Sequence, residues 1–223
     1  MIIIIENLVP KEQAISWADA LADAPFSHGR KTAGLIARTV KDNEQLTAPE
    51  LQAQIEQTVA LALRKHPLVR LAARPKKLSA LRVSRYKKGM SYGPHVDDAL
   101  MPNGQTLGRT DLSFTLFLND PASYEGGELA IAGDRQTESF KLDPGHAVLY
   151  PSGAIHEVTE ITAGERLAVV GWIESLIRDP AEREILADLE VTRNTLFERD
   201  GNSAEVLRLS KAISALMRRW SES

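Results

Sequence analysis

The sequence predicts an α+β fold: a double-stranded β-helix, or jelly roll, flanked by N-terminal and C-terminal helices. Two observations carry this prediction. Between residues 78 and 175, about eight short β-type runs alternate with clusters of Gly, Pro, Asn and Asp, as in sandwiches and barrels. Before and after that stretch the apolar spacing switches to the helical period. The expected divisions are 1–77 for an N-terminal strand and helices packing on the core, 78–176 for the jelly roll, and 177–223 for a C-terminal helical extension.

Taken in order, Ile2 to Ile5 read as a buried strand. Pro10 can open a helix, where its missing N–H costs nothing, and Ile15, Ala18 and Leu21 share a face in the stretch up to residue 24. Thr47-Ala48-Pro49-Glu50 has the form of a capping box, and Leu51, Ile55, Val59 and Leu63 form an apolar stripe on a helix to about residue 66. The β-type runs are 78–86, 112–118, 128–132, 138–142, 147–150, 157–161 and 167–173, with a further short strand carrying His95. Residues 98–109, with Pro102-Asn103-Gly104 and Gly108, read as a loop able to fold over a pocket. Asp179-Pro180 and Ser203 can each cap a helix. Val206, Leu209, Ile213, Leu216 and Trp220 make a narrow seam on the second, suited to packing on its own domain or to a homo-oligomer contact.

Composition removes several classes of function. The net charge of −3 gives no electrostatic case for nucleic acid. The basic groups Arg74, Lys76, Lys77 and Arg82, then Arg85, Lys87 and Lys88, read as solvated strand ends with a secondary reading as a substrate-steering surface. No run is long enough to span a membrane. With no cysteine there is no disulfide and no thiol nucleophile, and a cytoplasmic protein is the expectation.

The chemistry concentrates at His95, Val96 and Asp97, with His156 and Arg166 downstream. A His and a carboxylate two residues apart on an extended chain point to the same side. With a second His from a distant strand they give two imidazoles and one carboxylate, a set suited to non-haem Fe(II) with positions open for a co-substrate and dioxygen. The tripeptide arises by chance in many chains, so it needs context. Arg166 lies past the Ala163-Gly164 turn, on the next strand, with Ala168 and Val170 on its own face. A buried Arg needs an anionic partner, here either a bound small carboxylate or an internal Glu157 or Glu160. His28, His66 and His146 read as surface, cap or turn residues.

The chain resembles the Fe(II)/2-oxoglutarate dioxygenases, and more closely the bacterial PKHD-type hydroxylases related to prolyl 4-hydroxylases. The resemblance runs through Gly29-Arg30, Thr32-Ala33-Gly34, Val40-Lys41, Asn43 and Gln45-Leu46. It continues through Arg85-Tyr86, Gly89, Tyr92, His95 and Asp97, then 109–113 and 115–118. Tyr124, Gly126-Gly127-Glu128-Leu129, 149–152, His156 and Val158 complete it. It implies that His95, Asp97 and His156 ligate iron and that Arg166 holds the distal carboxylate of 2-oxoglutarate. It also implies that Tyr86 donates a hydrogen bond to the co-substrate and that Tyr92 stands nearer the prime substrate, although both can equally be packing aromatics. Phe117 replaces a tyrosine that some prolyl hydroxylases use, and Thr115 on the same face could substitute for it.

The implied reaction is decarboxylation of 2-oxoglutarate by dioxygen coupled to hydroxylation of an unidentified small molecule or peptide, with ascorbate keeping the iron reduced. The resemblance also implies a link to iron and siderophore handling. Alternatives are a peptidyl-proline hydroxylase, a sensor binding iron and 2-oxoglutarate without turnover, and a cupin-like enzyme of another metal with no need of Arg166.

Overall fold

The computed structural model describes residues 1–32, 34, 36–79, 81–103, 106–133 and 135–222. Ala33, Ala80 and Gly104, which fall in segments named above, lie outside the described residues. The chain divides into two compact units, Met1–Leu63 with Lys77–Glu174 and Arg64–Lys76 with Ser175–Ser223.

The first unit is a jelly roll of antiparallel strands. Its strands begin with β1 (Ile3–Ile5), β2 (Phe26–His28), β3 (Lys41–Asp42), β4 (Glu44–Leu46), β5 (Pro75–Leu78), β6 (Arg82–Lys87), β7 (Ser91–His95), β8 (Leu100–Asn103) and β9 (Thr106–Arg109). They continue with β10 (Leu112–Phe117), β11 (Glu125–Gly126), β12 (Leu129–Ala132), β13 (Thr137–Phe140), β14 (Ala147–Pro151), β15 (His156–Val158), β16 (Ile161–Ala163) and β17 (Glu165–Ser175). The larger sheet runs β1-β14-β10-β17-β6-β4-β2, and the smaller runs β13-β12-β15-β7-β3. Side chains from both fill the space between, with Phe117, Val148 and Tyr150 meeting Leu129, Ile131 and Phe140. Two helices of this unit, α1 (Lys11–Ala22) and α3 (Pro49–Lys65), bury Ala14, Trp17 and Leu21, and Ile55, Val59 and Leu63 respectively. The short α2 (Ala37–Val40) lies between them in sequence. At the start of α3 the Thr47 hydroxyl donates to the Pro25 carbonyl oxygen at 3.0 Å, tying the helix entry to the residue before β2 instead of closing the expected capping box.

Several sequence expectations change in detail. The run 78–86 resolves as β5, ending at Leu78, and β6, starting at Arg82. The run 157–161 divides into β15 and β16, with the Thr159 hydroxyl bonding Glu128 Oε2 at 2.6 Å in the gap. In place of an irregular loop, segment 98–109 holds two antiparallel strands, β8 against β9. Thr110 closes its base, donating from Oγ1 to the Asp98 carbonyl oxygen at 2.6 Å. Short strands β2, β3 and β4, unmarked by any apolar alternation, extend the two sheets from the N-terminal region. The basic cluster is not uniformly solvated. Arg85 is buried, bonded to Glu44 Oε2 at 2.7 Å and stacked 3.8 Å from the Phe26 ring, while Arg82 turns inward.

The second unit is helical, with α4 (Pro67–Ala72), α5 (Pro180–Asp200) and α6 (Ala204–Trp220). Asp179 caps α5, accepting from the Ala181 and Glu182 amides at 2.7 and 3.1 Å, and Ser203 caps α6 by accepting from the Val206 amide. Ile177, Leu186 and Ile213 form its core, with Leu216 and Trp220 of the seam packed against it. Arg74, buried in this unit, pairs with Glu190 at 3.2 Å.

Candidate metal centre and co-substrate pocket

His95 ends β7, and Asp97 continues the extended chain just beyond it. Alternation buries His95 and leaves Val96, at 46% exposure, on the outside, so Asp97 returns to the inner side. His156 opens β15, the strand beside β7, and stands directly opposite His95 in the antiparallel register. Two residues distant in sequence thus become neighbours through one strand pairing. Ligand atoms of His95, Asp97 and His156 all lie within 4.8 Å of one another, and His156 Nε2 is 3.7 Å from Asp97 Oδ2. Among the described residues this is the group of His, Asp and Glu side chains close enough to share an ion.

Backbone carbonyls set the tautomers. His95 Nδ1 lies 2.9 Å from the Gly93 carbonyl oxygen, and His156 Nδ1 lies 2.9 Å from that of Ala154. A carbonyl only accepts, so each Nδ1 carries the proton and each Nε2 keeps its lone pair. Tyr92 stacks on His95 with ring centroids 3.6 Å apart and planes at 13°, while Tyr150 meets His156 edge-on at 5.0 Å. Ser113 Oγ on β10 donates to Asp97 Oδ2 at 2.6 Å and lies 2.8 Å from Ser152 Oγ. Its single proton is committed to Asp97, so Ser152 donates in the second contact.

Two expected results follow. Ser113→Ala frees one rotation of the Asp97 carboxylate, and metal affinity should fall about 10–100-fold, the usual cost of losing an outer partner. Competition with a chelating dye measures this, and unchanged affinity would show that the hydroxyl does not hold the ligand. The second concerns acid. Burial, then the charge of His156, brings the His95 pKa down from 6.5 to about 4, against smaller opposing effects of Gly93 and Asp97. The unfolded chain therefore takes up this proton first as the pH falls. Metal-free protein should lose stability as pH drops from about 6.5 towards 4. Urea midpoints near neutrality and near pH 5 test the sign, and a higher midpoint in acid would refute it.

Arg166 lies on the inner face of β17, in register with Tyr86 of β6 and 1% exposed. Its guanidinium carbon is 5.3 Å from the centroids of both Tyr86 and Phe117. Nε and Nη2 are buried without an acceptor, and so is the hydroxyl of nearby Tyr124. Neither Glu157 nor Glu160 forms an ion pair with it among the described residues, which removes the internal salt bridge. Glu128 feels the Arg166 charge and Tyr124 lies beside it, but no carboxylate among the described residues bonds the buried Nε and Nη2, and a cation so buried is costly without such a partner. Gly127, at φ +70°, lets the backbone pass this close, since a Cβ there would clash with the Ile161 side chain and crowd Arg166 Cδ at 3.1 Å. The residues present therefore fit both groups that the sequence suggested: two imidazole lone pairs and a carboxylate for a divalent metal, and an orphaned fork for a carboxylate.

One cavity joins these parts, reaching from Arg166 and Tyr86 past the His-Asp-His cluster to Met101 of β8. Tyr86 sits inside it with its pKa raised by burial, near Asn43. Tyr92 is half-buried and lies flat on His95, so its ring braces the cluster while its edge faces the cavity. Thr115 lines the same wall and bonds Tyr150, whose pKa burial pushes up. Sequence reading passed over Ser113 as a functional group, although two hydroxyl residues, Ser113 and Thr115, on one face of an otherwise apolar strand were a usable signal. It also missed Tyr124, Lys41, Arg82 and Trp172, whose inward aim depends on strand pairing. Burial and then Arg82 bring the Lys41 pKa down to about 8, with Asp97 opposing.

The profile of the 2OG-Fe(II) oxygenase superfamily matches residues 81–174, the span carrying every site residue named from the sequence. A prolyl-4-hydroxylase from Pseudomonas putida has a similar fold, with a TM-score of 0.51 at 20% identity over 78% of this chain and 92% of that one. Residues 81–174 thus carry the profile of iron- and 2-oxoglutarate-dependent oxygenases on a fold like that of this hydroxylase. Relatives matched over their whole length narrow this further. A PKHD-type hydroxylase of Crocosphaera subtropica is 46% identical over 224 residues, covering 100% of both chains. One of Maricaulis maris is 47% identical over 222 residues with the same coverage. The chain belongs to the PKHD-type hydroxylases. It is an enzyme whose cofactors are Fe(II) and 2-oxoglutarate, and no helix among the described residues is long and apolar enough to cross a membrane.

Proposed function

We propose that His95, Asp97 and His156 hold the iron and that Arg166 holds the distal carboxylate of 2-oxoglutarate. The observation that carries the reading is the buried Arg166 fork with two unpaired donors, opening into the cavity that the three metal-binding side chains share. Bound iron supplies the activation of dioxygen and oxidation of an unactivated C–H bond; the chain supplies position, charge and a dry wall. Each Nε2 is kept as a lone-pair donor by its carbonyl, and Ser113 fixes the Asp97 carboxylate. Arg166 forks onto the co-substrate carboxylate, with the Tyr124 hydroxyl as an additional donor and Tyr86 lining its path. Tyr92, on the far side of His95, borders the space left for the substrate, which Met101 of β8 helps to cover.

On this reading the enzyme hydroxylates a polar small molecule or peptide segment, with ascorbate maintaining Fe(II) during uncoupled turnover. The cysteine-free chain suits a reducing compartment, and we place the reaction in the cytoplasm. The link to iron and siderophore handling rests on the family resemblance alone, and the fold likeness to a prolyl-4-hydroxylase makes proline peptides the second substrate class. The test is a screen of siderophores, amino acids and proline peptides for stimulated 2-oxoglutarate consumption with matching gain of one oxygen atom in the product. A gain confined to proline peptides removes the siderophore link. Tight, iron-dependent 2-oxoglutarate binding with no stimulation by any compound would favour the sensor alternative.

A further inference from the structure

The cavity has a second set of buried donors, on the wall that Arg166 does not reach. Arg82 on β6 pairs in register with Val170 on β17, and Trp172 follows on the same face of β17. The Arg82 guanidinium carbon lies 5.9 Å from the Trp172 ring. Arg82 and Trp172 both line the cavity, and Arg82 Nε and Trp172 Nε1 are buried without an acceptor among the described residues. Trp172 itself is 9% exposed. A buried N–H without an acceptor is costly, and two of them side by side suit a ligand oxygen.

Its position excludes the co-substrate as that partner. Arg82 stands four residues along β6 from Tyr86, about 13 Å from the Tyr86–Arg166 rung at the usual strand rise. A 2-oxoglutarate with one end on Arg166 and the other at the metal-binding side chains leaves Arg82 uncovered. Yet the pair adjoins those side chains. Ser113, which bonds Asp97, is opposite Trp172 in the β10–β17 register, and Tyr92, stacked on His95, feels the Arg82 charge. Lys41, opposite Tyr92 in the β3–β7 register, holds its ammonium 5.0 Å from the Tyr92 ring and close enough to Arg82 for the two to repel. Two cations and an indole N–H therefore face one side of the metal-binding cluster, with Asp97, whose charge acts on Lys41, and Asp98 lining the same cavity.

We infer that Arg82, Lys41 and Trp172 form a second oxyanion subsite, which holds a carboxylate or phosphate of the substrate beside the metal. The word substrate rests on the metal-centre reading above; the binding of an oxyanion does not. Charge-assisted N–H donors next to a second cation select an oxyanion over a neutral amide of the same shape. The enzyme then acts on an anionic molecule, at a carbon a short reach from its acidic group.

The test uses the full chain carrying zinc and 2-oxoglutarate, with nitrogen-15 in its tryptophans. Trp17, Trp172 and Trp220 give separate indole signals, and Trp172→Phe assigns the middle one. Acetate, inorganic phosphate and acetamide are titrated in turn. The Trp172 signal should shift saturably with acetate or phosphate and not with acetamide, and Arg82→Gln should weaken the response at least tenfold. A response to acetate alone marks a carboxylate, and one to phosphate alone marks a phosphate. A Trp172 signal that ignores both anions, follows acetamide equally, or keeps its affinity in Arg82→Gln overturns the inference. Should that variant misfold, the wild-type titration alone decides. Arg166→Leu separates the two readings. Normal 2-oxoglutarate binding in that variant would defeat the co-substrate assignment, while its Trp172 titration still judges the second subsite.

Discussion

Asp97→Ala should abolish 2-oxoglutarate decarboxylation and lower Fe(II) affinity by more than about 100-fold, beyond the usual cost of losing an outer partner. The carboxylate is the one anionic member of the cluster, and without it two neutral imidazoles face a dication. The loss also leaves Ser113 Oγ without its 2.6 Å acceptor. Asp97 follows the end of β7 and packs into no apolar core, so the fold should survive. Asp97→Asn separates charge from shape: it keeps the size of the side chain and an oxygen for Ser113, yet should lose most of the metal affinity. Anaerobic iron titration and succinate formation measure both effects. Decarboxylation at the wild-type rate in either variant would remove Asp97 from the centre.

Arg166→Lys should raise the apparent KM for 2-oxoglutarate and leave iron binding nearly intact. The lysine keeps the charge but replaces a planar fork with a single point, and the lost hydrogen bond is worth about 1–3 kcal/mol, or roughly 5- to 150-fold. The direction follows from the pocket. Arg166 is flanked by the Tyr86 and Phe117 rings, and among the described residues no carboxylate bonds Nε or Nη2, Glu128 acting on it only through space. Equal 2-oxoglutarate affinity in the two proteins would mean that the fork serves another anion.

The parts of this centre that were legible in the sequence are those governed by local geometry. His95 and Asp97 share a side because an extended chain alternates, and Arg166 faces inward because Ala168 and Val170 do. The helix caps at Asp179 and Ser203 were equally local. Residues whose role depends on pairing were not legible. Arg82 looked like one more charge in a basic run, and only the β6–β17 register turns it towards Trp172. Arg85, three residues on, faces the other way and pairs with Glu44. Strands β3 and β4 span two and three residues and contain charged side chains, so no alternation announces them. Their existence follows from edges offered by β7 and β6. The 98–109 segment hid two paired strands because its Pro and Gly residues signal a turn without saying what flanks it.

On the proposed reading, one iron and one 2-oxoglutarate are held by His95, Asp97, His156 and Arg166. The most direct measurement is anomalous diffraction at the iron edge from crystals grown without oxygen in Fe(II) and 2-oxoglutarate. The expected result is a single iron peak bonded to His95 Nε2, His156 Nε2 and the Asp97 carboxylate, with the distal carboxylate of 2-oxoglutarate on Arg166 Nε and Nη2. Iron bound elsewhere, or a co-substrate whose carboxylate lies away from Arg166, would contradict it.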